Sequence, residues 1–85
     1  MSQWARTFKT LGCPTRLSLL MAIHQEGSPT VTRLAEQAGV RVATASAALR
    51  AMEKMGTVES VRDGRMIHYQ LADPRVHQLL HLCSG

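Results

Sequence analysis

Residues 31–55 read VTRLAEQAGVRVATASAALRAMEKM, two helical patterns divided by one glycine. In the first, Val31, Leu34, Ala35 and Ala38 recur at i, i+3, i+4 and i+7, the spacing of a short helix with one buried face. Gly39 follows and can supply the positive φ that stops such a helix. Val40 and Arg41 make the turn, and a longer helix is predicted from Val42 to about Met55. At about 100° per residue, Ala45, Ala48, Leu49 and Met52 gather on one side of it, and Ala43, Ser46, Ala47, Arg50 and Lys54 on the other. The small Ala35 lets the two helices cross closely. Two helices, a tight glycine turn and a solvated face carrying arginine make a helix-turn-helix, an arrangement whose second helix enters the major groove of DNA.

Upstream, Ser2 is expected to cap a helix from Gln3 to about Leu11, with Trp4, Phe8 and Leu11 in one apolar stripe that serves a core, a subunit interface or both. Gly12 ends it. Pro14 suits the first position of the next helix, where a missing N–H costs nothing. Leu17, Leu20, Met21 and His24 follow at helical spacing with Ile23 alongside, which makes His24 a packed core histidine. Gly27, Ser28 and Pro29 end this helix, and Thr30 caps the one beginning at Val31.

Downstream, Gly56 terminates the long helix. Residues 57–62 and 65–71 are β-branched and alternating, with Asp63-Gly64 between them as a hairpin signal. Val58, Val61, Ile67, Tyr69 and Leu71 supply its apolar positions. A hairpin directly after a helix-turn-helix is a wing, and Arg62 and Arg65 flank its tip, within reach of phosphates or the minor groove. Asp73-Pro74 opens a short last helix carrying Val76, Leu79, Leu80 and Cys83. The fold class is mainly α with a small β-hairpin. Trp4, Phe8, Leu11, Val76, Leu79 and Leu80 exceed what a small core needs, so they are expected to pack across the two-fold axis of a homodimer.

Residues 1–85 are read as one domain, short enough that its stability leans on a partner subunit. Ten Lys and Arg against six Asp and Glu give a net charge of +4, which suits an anionic partner. Neither a signal peptide nor a membrane-length apolar run is visible, so a cytoplasmic location without membrane contact is expected. Three aromatic residues are too few for a base-stacking platform of the single-strand-binding kind. No nucleophile, base and orienting group stand at a recognised spacing, and no glycine-rich phosphate loop is present. Neither an enzyme nor a cofactor is expected.

The order of elements resembles the ArsR/SmtB family of winged-helix repressors. LGCPTRLSLLMAI (residues 11–23) is similar to the opening of the family's second helix, residues 30–56 to its helix-turn-helix, and VESVRDGRMIHYQLADPRV (residues 58–76) to its wing and the start of its last helix. The resemblance spans about Phe8 to Val76. It implies a homodimer that binds double-stranded DNA at a two-fold operator and represses its promoter, with dimer contacts from the first and last helices. Carried over residue by residue, the DNA contacts fall on Arg41, Val42, Ala43, Thr44, Ser46, Ala47 and Arg50, and on Arg62 and Arg65 in the wing. This chain departs from the family at Arg41, where a Ser or Thr cap is usual, and in its alanine-rich recognition helix. Alanine touches a thymine methyl but forms none of the bidentate pairs that discriminate bases. A protein-interaction module with weak or no DNA binding is the alternative.

Cys13 and Cys83 are too few for a disulfide scaffold. Cys13 stands at a helix N-terminus, where a thiolate is favoured, so the pair is a candidate thiol sensor beside the plainer reading as unreactive thiols. The family's Cys-Val-Cys arsenic motif is replaced by Thr30-Val31-Thr32. His77 and His81 stand at i, i+4, a spacing able to chelate a metal. Two histidines do not complete a tetrahedral site, and the zinc-sensing relatives' Asp-x-His string is replaced by Asp73-Pro74-Arg75. Solvated polar positions and no metal are expected there, and no special role for His68.

Overall fold

The computed structural model describes residues 2–84, with side chains from Trp4 to Cys83. Five helices and one hairpin follow in the order α1 (Ser2–Leu11), α2 (Pro14–Glu26), α3 (Val31–Ala38), α4 (Val42–Lys54), β1 (Val58–Asp63), β2 (Met66–Leu71) and α5 (Pro74–Ser84). The expected cap by Ser2 lies outside the described side chains.

Helix boundaries follow backbone chemistry. Pro14 opens α2 after Cys13, whose side chain makes no capping bond. Thr30 caps α3 as expected, its hydroxyl accepting from the Arg33 N–H at 3.3 Å. Gly39 adopts φ 69°, ψ 32°, and the Val40 N–H donates back to the Ala35 carbonyl at 3.0 Å. That bond closes the exposed end of α3 and redirects the chain into α4. Arg41 precedes α4 without a side-chain cap, since a guanidinium has no acceptor to offer the orphan N–H groups.

The core joins α2 (Leu19, Leu20, Ala22, Ile23), α3 (Leu34, Ala35), α4 (Ala45, Leu49, Met52), Val58, Tyr69 and α5 (Val76, Leu80). Two expectations change here. On α2 the buried face is centred on Leu19, Leu20 and Ile23, whereas Leu17 is exposed and His24 half-buried. Six of the seven residues from Leu17 to Ile23 are apolar, so periodicity gave no unique phase. On α5, Val76 and Leu80 are each 1% exposed within a single chain. They complete the core, and their side chains are unavailable to a partner. Leu11 packs half-buried against that core and Leu79 is half-buried, whereas Trp4 and Phe8 are exposed and stand together, ring centroids 6.0 Å apart. Leu82, 77% exposed, is a further apolar side chain on the outside of α5.

The hairpin pairs antiparallel from Val58↔Leu71 to Asp63↔Met66. Its turn is therefore Gly64-Arg65, one residue later than Asp63-Gly64. Gly64 has φ 61° and, among the described residues, no non-glycine residue has positive φ, the pattern of a turn with glycine at its first central position. Val58 and Tyr69 reach the core and Leu71 packs on it, but Val61 and Ile67 are about two-fifths exposed. They lie beyond the helical layer, where a two-stranded ribbon has no second layer to cover it. The ribbon's base is tied to the α2–α3 loop. The Tyr69 N–H donates to the Pro29 carbonyl at 3.0 Å, and the His68 ring bonds the Ser28 carbonyl through Nδ1 at 2.8 Å. His68 thus has a structural role that alternation alone did not suggest.

Core membership of α5 makes a direct prediction. Leu80→Ala lowers the free energy of urea unfolding by about 2–5 kcal/mol. A loss below about 1 kcal/mol would show that Leu80 faces outward.

Candidate nucleic-acid interface

Burial of Ala45, Leu49 and Met52 orients α4. The opposite face presents Ala43, Ala47, Arg50 and Lys54, all exposed, with Arg41, Val42 and Thr44 exposed at the helix start and Ser46 half-buried at the edge. Val42 is 50% exposed, so a branched apolar side chain stands at the open N-terminal end of the buried stripe. Arg62 and Arg65 are exposed on the wing, Arg62 opposite Ile67 and Arg65 in the turn itself.

Ion pairing sorts the charges. Arg33 Nε lies 2.8 Å from Glu26 Oε1, and its Nη1 3.7 Å from Glu36 Oε2. Its guanidinium is held protonated more firmly than usual, first by the hydrogen bond to Glu26 and then by that carboxylate's charge. Arg33 is therefore committed to its own side of the fold. Glu53 accepts from the Ser60 hydroxyl at 2.6 Å, Glu59 accepts from Gln70, and Asp73 accepts from the Arg75 N–H at 2.9 Å. By contrast Arg41, Arg50, Lys54, Arg62 and Arg65 form no ion pair within 4.0 Å among the described residues. Six basic and four acidic residues between Arg33 and Arg65 make a modest excess in sequence. In the fold Glu36 pairs with Arg33, Glu53 and Glu59 accept from the neutral Ser60 and Gln70, and the five other cations stand outside any ion pair among the described residues.

Tyr69 links the recognition helix to the wing. Burial pushes its hydroxyl above the ordinary tyrosine range, the Glu53 carboxylate adds to the rise, and the Arg50 guanidinium opposes it. Two α4 residues thus act electrostatically on one β2 side chain. The Ser60–Glu53 bond and the burial of Tyr69 in the core shared with Leu49 and Met52 hold the hairpin against α4.

The candidate dimer residues divide. Trp4 and Phe8 present an outward surface, with the Arg75 guanidinium carbon 5.7 Å from the Trp4 ring centre. Leu11 and Leu79 are half-buried, and Val76 and Leu80 belong to the core. Cys13 and Cys83 are both free thiols. The backbone amide of Arg16 holds the Cys13 thiol below its ordinary range, against partial desolvation, with help from the Thr15 amide and the Arg16 charge. His24 near the end of α2 contacts the rings of His77 and His81 on α5. No spacing in the sequence indicated this three-ring contact.

A helix-turn-helix with a hairpin wing and a cationic outer face defines a winged helix-turn-helix protein. Residues 14–65 match the model of the MarR family, and the chain belongs to that family, whereas its motifs suggested ArsR/SmtB. It is 38% identical over 78 residues to the "Probable mercury resistance operon repressor" of Streptomyces lividans, an alignment covering 92% of this chain and 62% of that protein. It is 39% identical over 79 residues to the "HTH-type transcriptional regulator NmtR" of Mycobacterium tuberculosis, covering 93% and 65% respectively. The chain thus spans less than two thirds of the length of these curated relatives. Among solved structures it is similar to the homodimeric winged helix-turn-helix DNA-binding domain of Mb0332 from Mycobacterium bovis, described as "a possible ArsR-family transcriptional regulator". That likeness has a TM-score of 0.82 at 35% identity and covers 98% of this chain and 76% of the other.

The chain's single tyrosine allows a spectroscopic check of this geometry. Its absorbance titration midpoint should lie above that of a tyrosine peptide, rise further in Arg50→Ala and fall in Glu53→Gln. A midpoint unmoved by both substitutions would contradict the placement of α4 against the wing.

Proposed function

We propose that this chain is the DNA-binding part of a homodimeric transcriptional repressor. Helix α4 lies in the major groove, and the wing lies along the neighbouring backbone. The observation that carries this reading is the exposed outer face of α4 and the wing, where Arg41, Arg50, Lys54, Arg62 and Arg65 form no ion pair within 4.0 Å among the described residues. Arg50 is the side chain best suited to a guanine edge, and Arg41, Arg62 and Arg65 to phosphates. Ser46 is a weaker polar contact, while Val42, Ala43, Thr44 and Ala47 add close apolar approach, including to thymine methyls. Base discrimination then rests on few hydrogen bonds, which leaves a large share to groove shape.

Within the wider group of winged-helix regulators we place the chain near the ArsR/SmtB branch. The Pro14-Thr15-Arg16-Leu17 string, the Gly64-Arg65-x-x-x-Tyr69-x-Leu71 string and the likeness to Mb0332 support that placement. The dimer is built on Trp4 and Phe8, with Leu11 and Leu79 at its margin. No helix among the described residues is long and apolar enough to cross a membrane, and a cytoplasmic location belongs to this reading.

The test is a titration with DNA from upstream of the chain's own gene at several salt concentrations. Affinity should fall steeply as salt rises. Arg50→Ala should cost about 1–3 kcal/mol, and Arg65→Ala should reduce the salt slope by about one. Weak binding at every salt concentration would favour the protein-interaction module instead. For the dimer, light scattering at micromolar concentration should give twice the chain mass, and Phe8→Ser should shift it toward the monomer. A monomeric wild type would overturn that assembly.

A further inference from the structure

Among the described residues the buried polar side chains are Thr7, Thr10 and Thr57, and all three line one cavity. Thr7 and Thr10 stand on α1, and Thr57 lies in the turn from α4 into β1. The cavity, about 300 Å³ in volume, forms where α1, that turn and the start of α5 converge. Its size is at the low end of the range for small-molecule sites, roughly 300–1,000 Å³. Arg6, Asp73 and Arg75 complete its polar lining.

The three hydroxyls are not spent alike. Thr10 donates to the Arg6 carbonyl within its own helix at 3.1 Å. Thr57 is 6% exposed, and its hydroxyl makes no hydrogen bond among the described residues. No side-chain oxygen sealed from solvent is left unpaired there, so the Thr57 hydroxyl opens onto the cavity it lines. Its backbone is fixed. The Thr57 carbonyl accepts from the Ala72 and Asp73 N–H groups at 3.0 and 3.3 Å, and its own N–H donates to Met52 at 2.9 Å. At the rim, Arg6 is exposed and forms no ion pair within 4.0 Å among the described residues. Arg75 Nη1 lies 3.9 Å from Asp73 Oδ1, and its guanidinium carbon 5.7 Å from the Trp4 ring centre. Asp73 Oδ1 also accepts from the Arg75 N–H at 2.9 Å. Two guanidiniums against one carboxylate leave the lining cationic.

We propose that this cavity binds a small organic anion rich in hydroxyl groups, of the kind represented by a sugar acid or a sugar phosphate. Guanidiniums pair with carboxylate and phosphate oxygens through parallel N–H bonds, so Arg6 and Arg75 take the anionic end. The Thr57 hydroxyl both donates and accepts, and the Asp73 carboxylate only accepts. These two take the hydroxyl groups of the ligand. An anion without hydroxyls would strip water from Thr57 and Asp73 and return no hydrogen bond, which is costly for groups already largely buried. Because the ligand binds the folded chain, it raises the melting temperature.

The experiment uses the full chain without an affinity tag and contains no DNA, so its outcome is independent of the proposed function. Calorimetric titration and thermal melting are run with gluconate, glucose 6-phosphate, glucose, acetate and inorganic phosphate. The expected result is saturable binding of one gluconate or glucose 6-phosphate per chain, with a raised melting temperature. The tighter of the two distinguishes a carboxylate from a phosphate as the anionic group. Glucose lacks the charge, and acetate and inorganic phosphate lack the hydroxylated carbon frame, so each should bind at least about tenfold more weakly. Arg6→Gln should weaken binding by about tenfold and Thr57→Val by about threefold to tenfold, whereas Thr57→Ser, which keeps the hydroxyl, should bind as wild type. Arg6 is exposed, so Arg6→Gln without ligand should melt as wild type does, which separates lost binding from lost folding. Absence of saturable binding by both organic anions would overturn the proposal. So would acetate or inorganic phosphate binding as tightly as they do, which would mark an adventitious ion only, or unchanged affinity in Arg6→Gln and Thr57→Val.

Discussion

Leu49, with Ala45 and Met52 on either side, decides which way the recognition helix faces. All three are fully buried, and they dock α4 on α2 and α3 through a narrow stripe. A 13-residue helix with one stripe inside has its opposite face outside, so Arg50 and Lys54 reach solvent as a consequence of Leu49 reaching the core. The αL geometry of Gly39 makes this docking reachable. It closes α3 with a backbone bond and turns the chain within two residues. Small side chains at Ala35 and Ala45 complete the arrangement, since bulk at the crossing would push the helices apart.

The wing depends on the same docking. Tyr69 enters the core from β2, and Glu53 on α4 accepts from Ser60 on β1. The Pro29 and Ser28 carbonyls hold β2 from the other side. The hairpin is thus braced at its base against two helical segments, while its turn at Gly64-Arg65 projects outward. A firm base and an exposed cationic tip are what a groove-tracking ribbon requires. The exposed Met66 and Ile67 near that tip place apolar surface beside the charges.

Much of this architecture was legible in the sequence because the signals were local. Gly39, the Thr30 cap, Pro14 and the alternation of residues 57–71 each set a nearby boundary, and the strong periodicity of Val31–Ala38 left one phase for α3. Where several phases were equivalent, as in the almost wholly apolar Leu17–Ile23, the buried face could be settled only by tertiary packing. The same limit explains Val76 and Leu80. An amphipathic stripe on a terminal helix reads alike whether it meets its own core or a partner's. The pairing of acids with Arg33, Ser60 and Gln70, and the meeting of His24 with His77 and His81, depend on contacts between distant segments. No spacing along the chain encodes them.

In the proposed function α4 and the wing form one surface for DNA. Amide chemical shifts of the isotopically labelled chain, recorded as a duplex from upstream of its gene is added, test it most directly. Perturbations should concentrate in Arg41–Lys54 and Arg62–Met66, with the buried α2 and α5 core residues little affected. Perturbations confined to other surfaces, or none at low salt and saturating duplex, would contradict it.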